Sequence, residues 1–161
     1  MMGPMKPVKR SVAVVVRRPG GEFLIVRRPD DPDDPLAGAW GLPAVTLLDG
    51  EDERAAAARA GRVKLGVELA VGARIGEKEA DRGGYLLRLA DYEATLLAGV
   101  PAVPQPDATL TQYAGCRFTA HPGTLADAAA RGSLCAQVFL AAHAAGSPDN
   151  SKKRLAAGES P

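Results

Sequence analysis

Residues 50–67 read GEDERAAAARAGRVKLGV. Alanine has the highest helix propensity of any residue, and the alanine run predicts a helix from about Asp52 to Leu65. Acidic residues stand at the N-terminal end of this helix, where its dipole favours negative charge, and Gly66 is placed as its C-terminal stop. The stretch therefore predicts one internal helix, bounded by glycines, around which the rest of the chain can be organised.

The composition is that of an ordinary globular protein. The chain has 161 residues, of which 46% are apolar and 24% charged, and its formal net charge is +1. This length suffices for one domain with a hydrophobic core. A near-neutral charge and only 4% aromatic residues argue against nucleic-acid binding, which usually needs a basic surface or stacking aromatic side chains.

Strand patterns flank the predicted helix on both sides. Ser11–Arg17 and Phe23–Arg28 surround the turn PGGE and predict a hairpin. Strands with glycine breaks are predicted within 67–81 and 83–99, followed by a proline-rich connector at 100–110 and a strand within 111–120. Helices are predicted at 124–132 and 133–145. The order of strands, internal helix, strands and C-terminal helices is typical of an α+β domain.

The predicted domain spans residues 10–144. Residues 1–9 are expected to be a flexible N-terminus, and the polar tail at 145–161 is expected to be disordered. The apolar run near the start of the chain is too short for a signal sequence or a bilayer span, so no membrane association is predicted.

Cysteine usage indicates a reducing compartment. Cys116 and Cys135 are the only cysteines, and neither belongs to a CxxC pair. We expect two free thiols in a cytoplasmic protein rather than a disulfide or a zinc site. The aspartates within 30–34 lack the spacing of a Ca²⁺ loop, and we interpret them as part of a solvated loop.

The segment before the helix carries the most specific motif. A hairpin, a W-x-L-P loop (Trp40, Leu42, Pro43) and a glycine-bounded helix together resemble the Nudix hydrolases, whose signature is G-x5-E-x7-R-E-U-x-E-E-x-G-U, where U is aliphatic. Aligning Gly66 and Val67 with the closing G-U places the first glutamate of the signature on Glu51 and its arginine on Arg59. The resemblance implies a Nudix fold, a mixed β-sheet sandwiched between α-helices. It also implies hydrolysis of a nucleoside diphosphate linked to another moiety, with Mg²⁺ or Mn²⁺ as the cofactor.

The chain departs from this signature at the metal ligands. The first glycine of this signature, which is called the Nudix box, is replaced by Val45. The box segment R-E-U-x-E-E is replaced by RAGRVK at 59–64, on the predicted helix that we call the box helix. Residues three and four apart share one helix face, so Ala60, Val63 and Lys64 form the patch that is a carboxylate cluster in the family. Three glutamates are lost and one ammonium is gained, which makes the patch about four charge units more positive. Mg²⁺ requires oxygen ligands, so the sequence predicts no metal site on this helix.

Three interpretations of this face remain open. In the first, the site has decayed and these side chains only pack or meet solvent. In the second, Lys64 replaces the charge of the metal and holds a diphosphate without cleaving it. In the third, catalysis persists with Glu51, Glu77 or Glu79, although Glu51 suits a salt bridge to Arg59 and the other two also fit an exposed strand end.

Basic residues at the end of the second predicted strand are further candidates for ligand binding. Nudix hydrolases often present such residues to the phosphates of the substrate, and Arg27 and Arg28 stand there, as candidates beside Arg59 and Lys64. Alternation directs only one of the pair inward. We therefore expect a Nudix-hydrolase-like protein whose partner is a small nucleotide derivative. The alternative is a non-catalytic module that binds a nucleotide-like ligand or, through its apolar C-terminal helix, a protein partner or a second copy in a homodimer.

Overall fold

A computed structural model describes residues 5–105 and 112–146. The strands are β1 (Val8–Arg17), β2 (Phe23–Arg27), β3 (Trp40–Gly41), β4 (Ala44–Thr46), β5 (Glu68–Asp81), β6 (Leu86–Ala98) and β7 (Gly115–Thr119). The helices are α1 (Glu53–Ala60), α2 (Ala126–Ala130) and α3 (Leu134–Gly146). Helix α1 continues into a π-helical turn at Gly61–Leu65, and a 3₁₀ turn at Pro122–Leu125 precedes α2.

One sheet with a split at its centre organises the domain. The strand order is β3-β2-β1-β6-β5, with β4 paired to β1 and β7 paired to β2. The predicted hairpin is confirmed, but β1 and β2 pair only beside their turn, at Arg17 and Phe23. Further along, β1 pairs instead with β4 through residues 11–13. One half of the sheet contains β1, β4, β5 and β6, and the other contains β2, β3 and β7. The two halves therefore diverge beyond the turn and leave a gap between β1 and β2.

Helices cover both faces of this sheet. Alternate residues of β1, such as Val12 and Val14, join a core cluster that includes Ala56 and Ala60 of α1. The intervening residues, such as Val15, join a second cluster that includes α3. The predicted α+β arrangement, a mixed sheet between α-helices, is confirmed because β1 is parallel to β6 and antiparallel to β2 and β4.

The glycine-bounded helix follows its sequence signals closely. The side chain of Asp52 caps it by accepting a hydrogen bond from the Ala55 amide at 2.7 Å. Gly66 ends it with a left-handed φ of 71°, a conformation that glycine adopts without steric cost. The π-helical form of its last turn was not predicted. Gly61 opens this turn and lies so close to Leu69 that an added Cβ would be 2.6 Å from that side chain.

Several predicted boundaries shift in the structure. Strand β1 begins at Val8, so residues 8 and 9 of the segment expected to be flexible are strand residues. The glycine breaks expected within 67–81 are register irregularities in the continuous strand β5. Residues 1–4, residues 106–110 of the predicted connector, residue 111 at the predicted start of the next strand, and the predicted tail from 147 onward lie outside the described residues. No helix in the described ranges combines the length and apolarity needed to cross a membrane.

Candidate functional site

A cavity of about 400 Å³ occupies the region where β1 and β2 diverge. Its size falls within the range of small-molecule sites, roughly 300 to 1,000 Å³. Residues of β1, β2, β4, the loop before β4, the π-helical turn and the start of α3 line it. Four of the lining side chains are cationic, namely Lys9, Arg28, Lys64 and Arg82. The described lining contains no aspartate and no glutamate.

Lys64 is the most deeply placed of these cations. It extends from the π-helical turn, is only 6% exposed, and its Nζ lies 5.2 Å from the centroid of the Tyr113 ring. Burial lowers the pKa of Lys64, and the nearby charges of Arg28 and Arg59 lower it further. An ammonium in so poorly solvated a position interacts strongly with any anion that enters the cavity.

The two candidate arginines at the end of β2 separate as alternation predicted. Arg28 lines the cavity and its Nε donates to Asp34 Oδ2 at 2.8 Å. Burial tends to raise the pKa of Asp34, but hydrogen bonds from Arg28 and the Leu36 amide outweigh this and hold the pKa below its usual value. Arg27 is not among the lining residues and pairs with Asp30 at 2.9 Å. Of these two arginines, only Arg28 is therefore placed to contact a ligand in the cavity.

Glu51 and Arg59 form a salt bridge, as their spacing suggested. Arg59 Nε donates to Glu51 Oε2 at 2.8 Å, and Nη2 donates to Oε1 at 2.9 Å. Nη2 of Arg59 also donates to the Thr46 carbonyl, and the Leu48 amide donates to Glu51. Hydrogen bonding from Arg59 lowers the pKa of Glu51. This pair ties the loop after β4 to α1, and neither residue is among those that line the cavity.

Glu77 and Glu79 lie on one side of β5, opposite Ala90 and Arg88 of β6. Glu79 pairs with Arg88 at 2.9 Å. Glu77 lies 3.3 Å from Arg74 and 3.8 Å from Arg88. The structure therefore places both candidates in ion pairs on the sheet, and neither is among the cavity-lining residues.

The other two box positions carry apolar groups. Ala60 is fully buried in the core cluster beneath α1, and Val63 packs against the same cluster. No group of three or more His, Cys, Asp or Glu side chains that could hold a metal ion occurs within residues 5–105 and 112–146.

The role of Glu53 is not evident from the sequence. This carboxylate accepts hydrogen bonds from Arg74 at 3.0 Å, Tyr92 at 2.7 Å and Arg10 at 3.1 Å. The hydrogen bond from Arg74 is the largest cause of a pKa lowered to about 2. Glu53 thus joins α1 to β1, β5 and β6. Its donors come from distant parts of the sequence, so local spacing carried no signal for this cluster.

Asp91 is a second group that the sequence did not reveal. It is fully buried on β6, and neither carboxylate oxygen has a hydrogen-bond partner among the described residues. Burial raises its pKa to about 8. Burial also raises the pKa of the Cys135 thiol, with a smaller contribution from Asp91. The position of Asp91 between Ala90 and Tyr92 within a predicted strand is the one local signal for such a group.

Comparison with known proteins identifies the class that this fold and motif define. The model of the NUDIX domain matches residues 7–112, so the chain belongs to this family. The W-x-L-P loop and the glycine-bounded helix had indicated the same membership.

Two curated relatives share part of the sequence. Proteins named "Putative 8-oxo-dGTP diphosphatase 2", from two strains of Mycobacterium tuberculosis, are 42% identical over 85 residues. These residues are 51% of this chain and 57% of each relative, so the chain spans little more than half of the relatives it matches.

Solved structures share the fold. The MutT protein from Methanosarcina mazei Go1 has a TM-score of 0.66 at 17% identity, covering 92% of this chain and 99% of its own. A NUDIX hydrolase from Nitrosomonas europaea has a TM-score of 0.65 at 19% identity, covering 87% and 90%. The E. coli ORF135 protein has a TM-score of 0.61 at 23% identity, covering 89% and 97%.

Proposed function

We propose that the protein binds a phosphate-bearing nucleotide derivative in the cavity, through Lys64 and Arg28 and without a divalent metal ion on the box helix. One observation carries this proposal. Lys64 stands where the family signature has a glutamate, and its ammonium lines the cavity together with Arg28. A carboxylate at this position would coordinate a metal ion, whereas an ammonium binds the phosphate directly.

The electrostatics of the cavity favour an anion. The described lining contains four cationic side chains and no carboxylate, and Arg28 forms an ion pair with Asp34 beside the cavity. The lowered pKa of Lys64 records that its charge is poorly solvated there. A bound phosphate would raise this pKa again, because an opposite charge nearby favours the charged form. Trp40 also lines the cavity and offers an aromatic ring against which a base can stack.

The box residues do not fit the divalent cation that the family implies. Ala60 and Val63 pack into the core and present no oxygen ligand. Lys64 adds a positive charge where the cation would lie. Glu51 forms a salt bridge with Arg59, and Glu77 and Glu79 form ion pairs with Arg74 and Arg88. We therefore derive no catalytic step through a metal ion.

Calorimetry in the presence of EDTA tests this proposal. We expect 8-oxo-dGTP, dGTP or a nucleoside diphosphate to bind without added metal and without release of phosphate or pyrophosphate. Lys64→Met keeps the length and apolar stem of the side chain but removes its charge, and we expect it to weaken binding about tenfold or more. Lys78→Met is the matched control, because Lys78 is exposed and does not line the cavity. Binding that requires Mg²⁺ and survives Lys64→Met would contradict the proposal.

A second candidate function is hydrolysis of a nucleoside diphosphate compound. The likeness to relatives named "Putative 8-oxo-dGTP diphosphatase 2" favours it. Catalysis would then use Mg²⁺ or Mn²⁺ with Glu51, Glu77 or Glu79. Metal-dependent release of pyrophosphate from 8-oxo-dGTP, abolished by Glu77→Gln or Glu79→Gln, would establish this candidate in place of the binding function.

A further inference from the structure

We infer that the cavity contains a second anion subsite, formed by Lys9 and Arg82, and that its ligand is a nucleotide with a second anionic group remote from its 5′-phosphates. This inference rests on the proposed function, because Lys64 and Arg28 are taken to hold the 5′-phosphates. The second subsite lies on the other face of the sheet.

Strand register places the two cation pairs on opposite faces. Lys9 is paired with Leu87 in the parallel β1–β6 ladder, so both side chains point to the same face. Leu87 packs against the core cluster beneath α3. Lys64 instead belongs to the π-helical turn that continues α1. The core cluster that includes α1 lies on the opposite face of the sheet from α3. A ligand that reaches both pairs must therefore extend through the gap between the diverging strands.

Arg82 lines the cavity together with Lys9 and contacts the segment just before α3. It belongs to the β5–β6 turn, and its Nη2 donates to the Gly132 carbonyl at 2.9 Å, just before α3. This bond uses one of the five N–H donors of the guanidinium. The Nζ of Lys9 lies 5.5 Å from the ring centroid of Tyr85, a residue of the same turn. The turn thus gathers two cations and an aromatic ring around one end of the cavity.

Neither Lys9 nor Arg82 has an acidic partner in the described part of the chain. Among the residues that the structure describes, Lys9 and Arg82 form no ion pair with a carboxylate. Arg28 differs, because Asp34 pairs with it. Ser133 and Leu134 line the cavity at the start of α3, where the helix dipole adds partial positive charge. The α3 end of the cavity therefore retains positive charge that an anionic group would compensate.

The remaining lining suits an uncharged ring system. Leu42, Leu87 and Leu89 line the cavity along with Trp40. Apolar and aromatic side chains of this kind hold a base or sugar, while the cations at either end fix its orientation. The second anionic group is then either a phosphate on the nucleotide sugar or a carboxylate on the linked moiety.

Two matched ligand pairs test the inference by calorimetry in EDTA. Adenosine 3′,5′-bisphosphate is compared with adenosine 5′-monophosphate, and UDP-glucuronate is compared with UDP-glucose. We expect the member with the extra anionic group to bind at least about tenfold more tightly in one pair. The pair that shows the preference identifies whether the group belongs to the sugar or to the linked moiety.

The variant Lys9→Met/Arg82→Met should abolish this preference and change the affinity for the less charged member less than about twofold. Lys78→Met/Arg62→Met removes the same charge from exposed positions outside the lining and should preserve the preference. Thermal melting checks that both variants fold. If nucleotides bind but neither pair discriminates, the second subsite is wrong and the proposed function stands. If no nucleotide binds in EDTA, the proposed function itself is wrong and the subsite falls with it.

Discussion

Lys64 and Asp91 are both buried ionisable residues, but their surroundings differ. The surroundings of Lys64 suit ligand binding, whereas those of Asp91 affect only the stability of the fold. Lys64 is 6% exposed, but it lines a cavity that a ligand can enter. Asp91 is 0% exposed, is not among the lining residues, and has no described hydrogen-bond partner. The cost of burying Lys64 can be offset by an anionic ligand. The cost of burying Asp91 is relieved only by protonation, which is why its pKa is raised to about 8.

Asp91 should therefore make the protein less stable as the pH rises. Its folded pKa of about 8 exceeds its ordinary value of 3.8, so the favourable contribution is complete below 3.8 and is lost as the pH rises through 8. The loss is on the order of several kcal/mol, at about 1.4 kcal/mol for each unit of pKa difference. Urea denaturation at pH 5 and pH 8 should show this decline.

The variant Asp91→Asn provides the control for that pH dependence. Asparagine has nearly the same shape but does not titrate, so the difference in unfolding free energy between pH 5 and pH 8 should largely disappear. Glu53, whose pKa is about 2, is ionised throughout this range and does not contribute. An undiminished pH dependence in Asp91→Asn would show that another group is responsible.

At the level of elements, α1 illustrates what sequence can and cannot predict. Its start at Asp52 and its end at Gly66 follow from local capping and propensity, so they were predicted correctly. The π-helical turn was not predicted, because it depends on the close approach of Gly61 to Leu69, a contact made only in the folded protein. The continuous course of β5 was missed for a similar reason: pairing with β6 carries the strand across its glycines.

Glu53 should be the main polar contact between α1 and the sheet. Its three hydrogen-bond donors come from β1, β5 and β6, and its side chain is only 16% exposed. We expect Glu53→Gln to lower the free energy of unfolding by about 2 kcal/mol, because charged hydrogen bonds in a partly buried site are lost. Urea denaturation at pH 7 measures this change.

The exposed pair of Glu68 and Arg62 supplies the comparison for Glu53→Gln. Their atoms lie 3.8 Å apart and both side chains are about half exposed, so Glu68→Gln should change stability by less than about 0.5 kcal/mol. The contribution of Glu53 should also vanish in acid. Its folded pKa is lowered, so the stabilisation is present above 4.5 and is lost as the pH falls through about 2. Equal effects of the two substitutions would contradict the proposed role of Glu53.

For the whole molecule, the sequence predicted the order of the elements but not the split in the sheet. The hairpin signals predicted correctly that β1 and β2 pair, but they gave no sign that this pairing is confined to the turn or that β4 pairs with β1 at residues 11–13. The cavity exists because of this exchange of partners. Lys64 was identified because it aligns with a known motif, and Arg28 was identified because it stands at the end of a predicted strand. Lys9 and Arg82 were missed because only the three-dimensional arrangement brings residues 73 positions apart into one lining.

A ligand that carries the second anionic group should stabilise both helical layers at once, because Lys64 lines the cavity on the α1 side and Ser133 lines it on the α3 side. Hydrogen exchange measured with adenosine 3′,5′-bisphosphate or UDP-glucuronate, whichever binds, should slow at residues 61–66 and at 133–137. The matched ligand without the second anionic group should slow exchange only at 61–66, since nothing draws it toward Lys9 and Arg82. The exposed turn at 18–22 lies outside the lining and should exchange equally in all samples. Equal protection of 133–137 by both ligands would mean that the ligand body reaches α3 without help from the second anionic group.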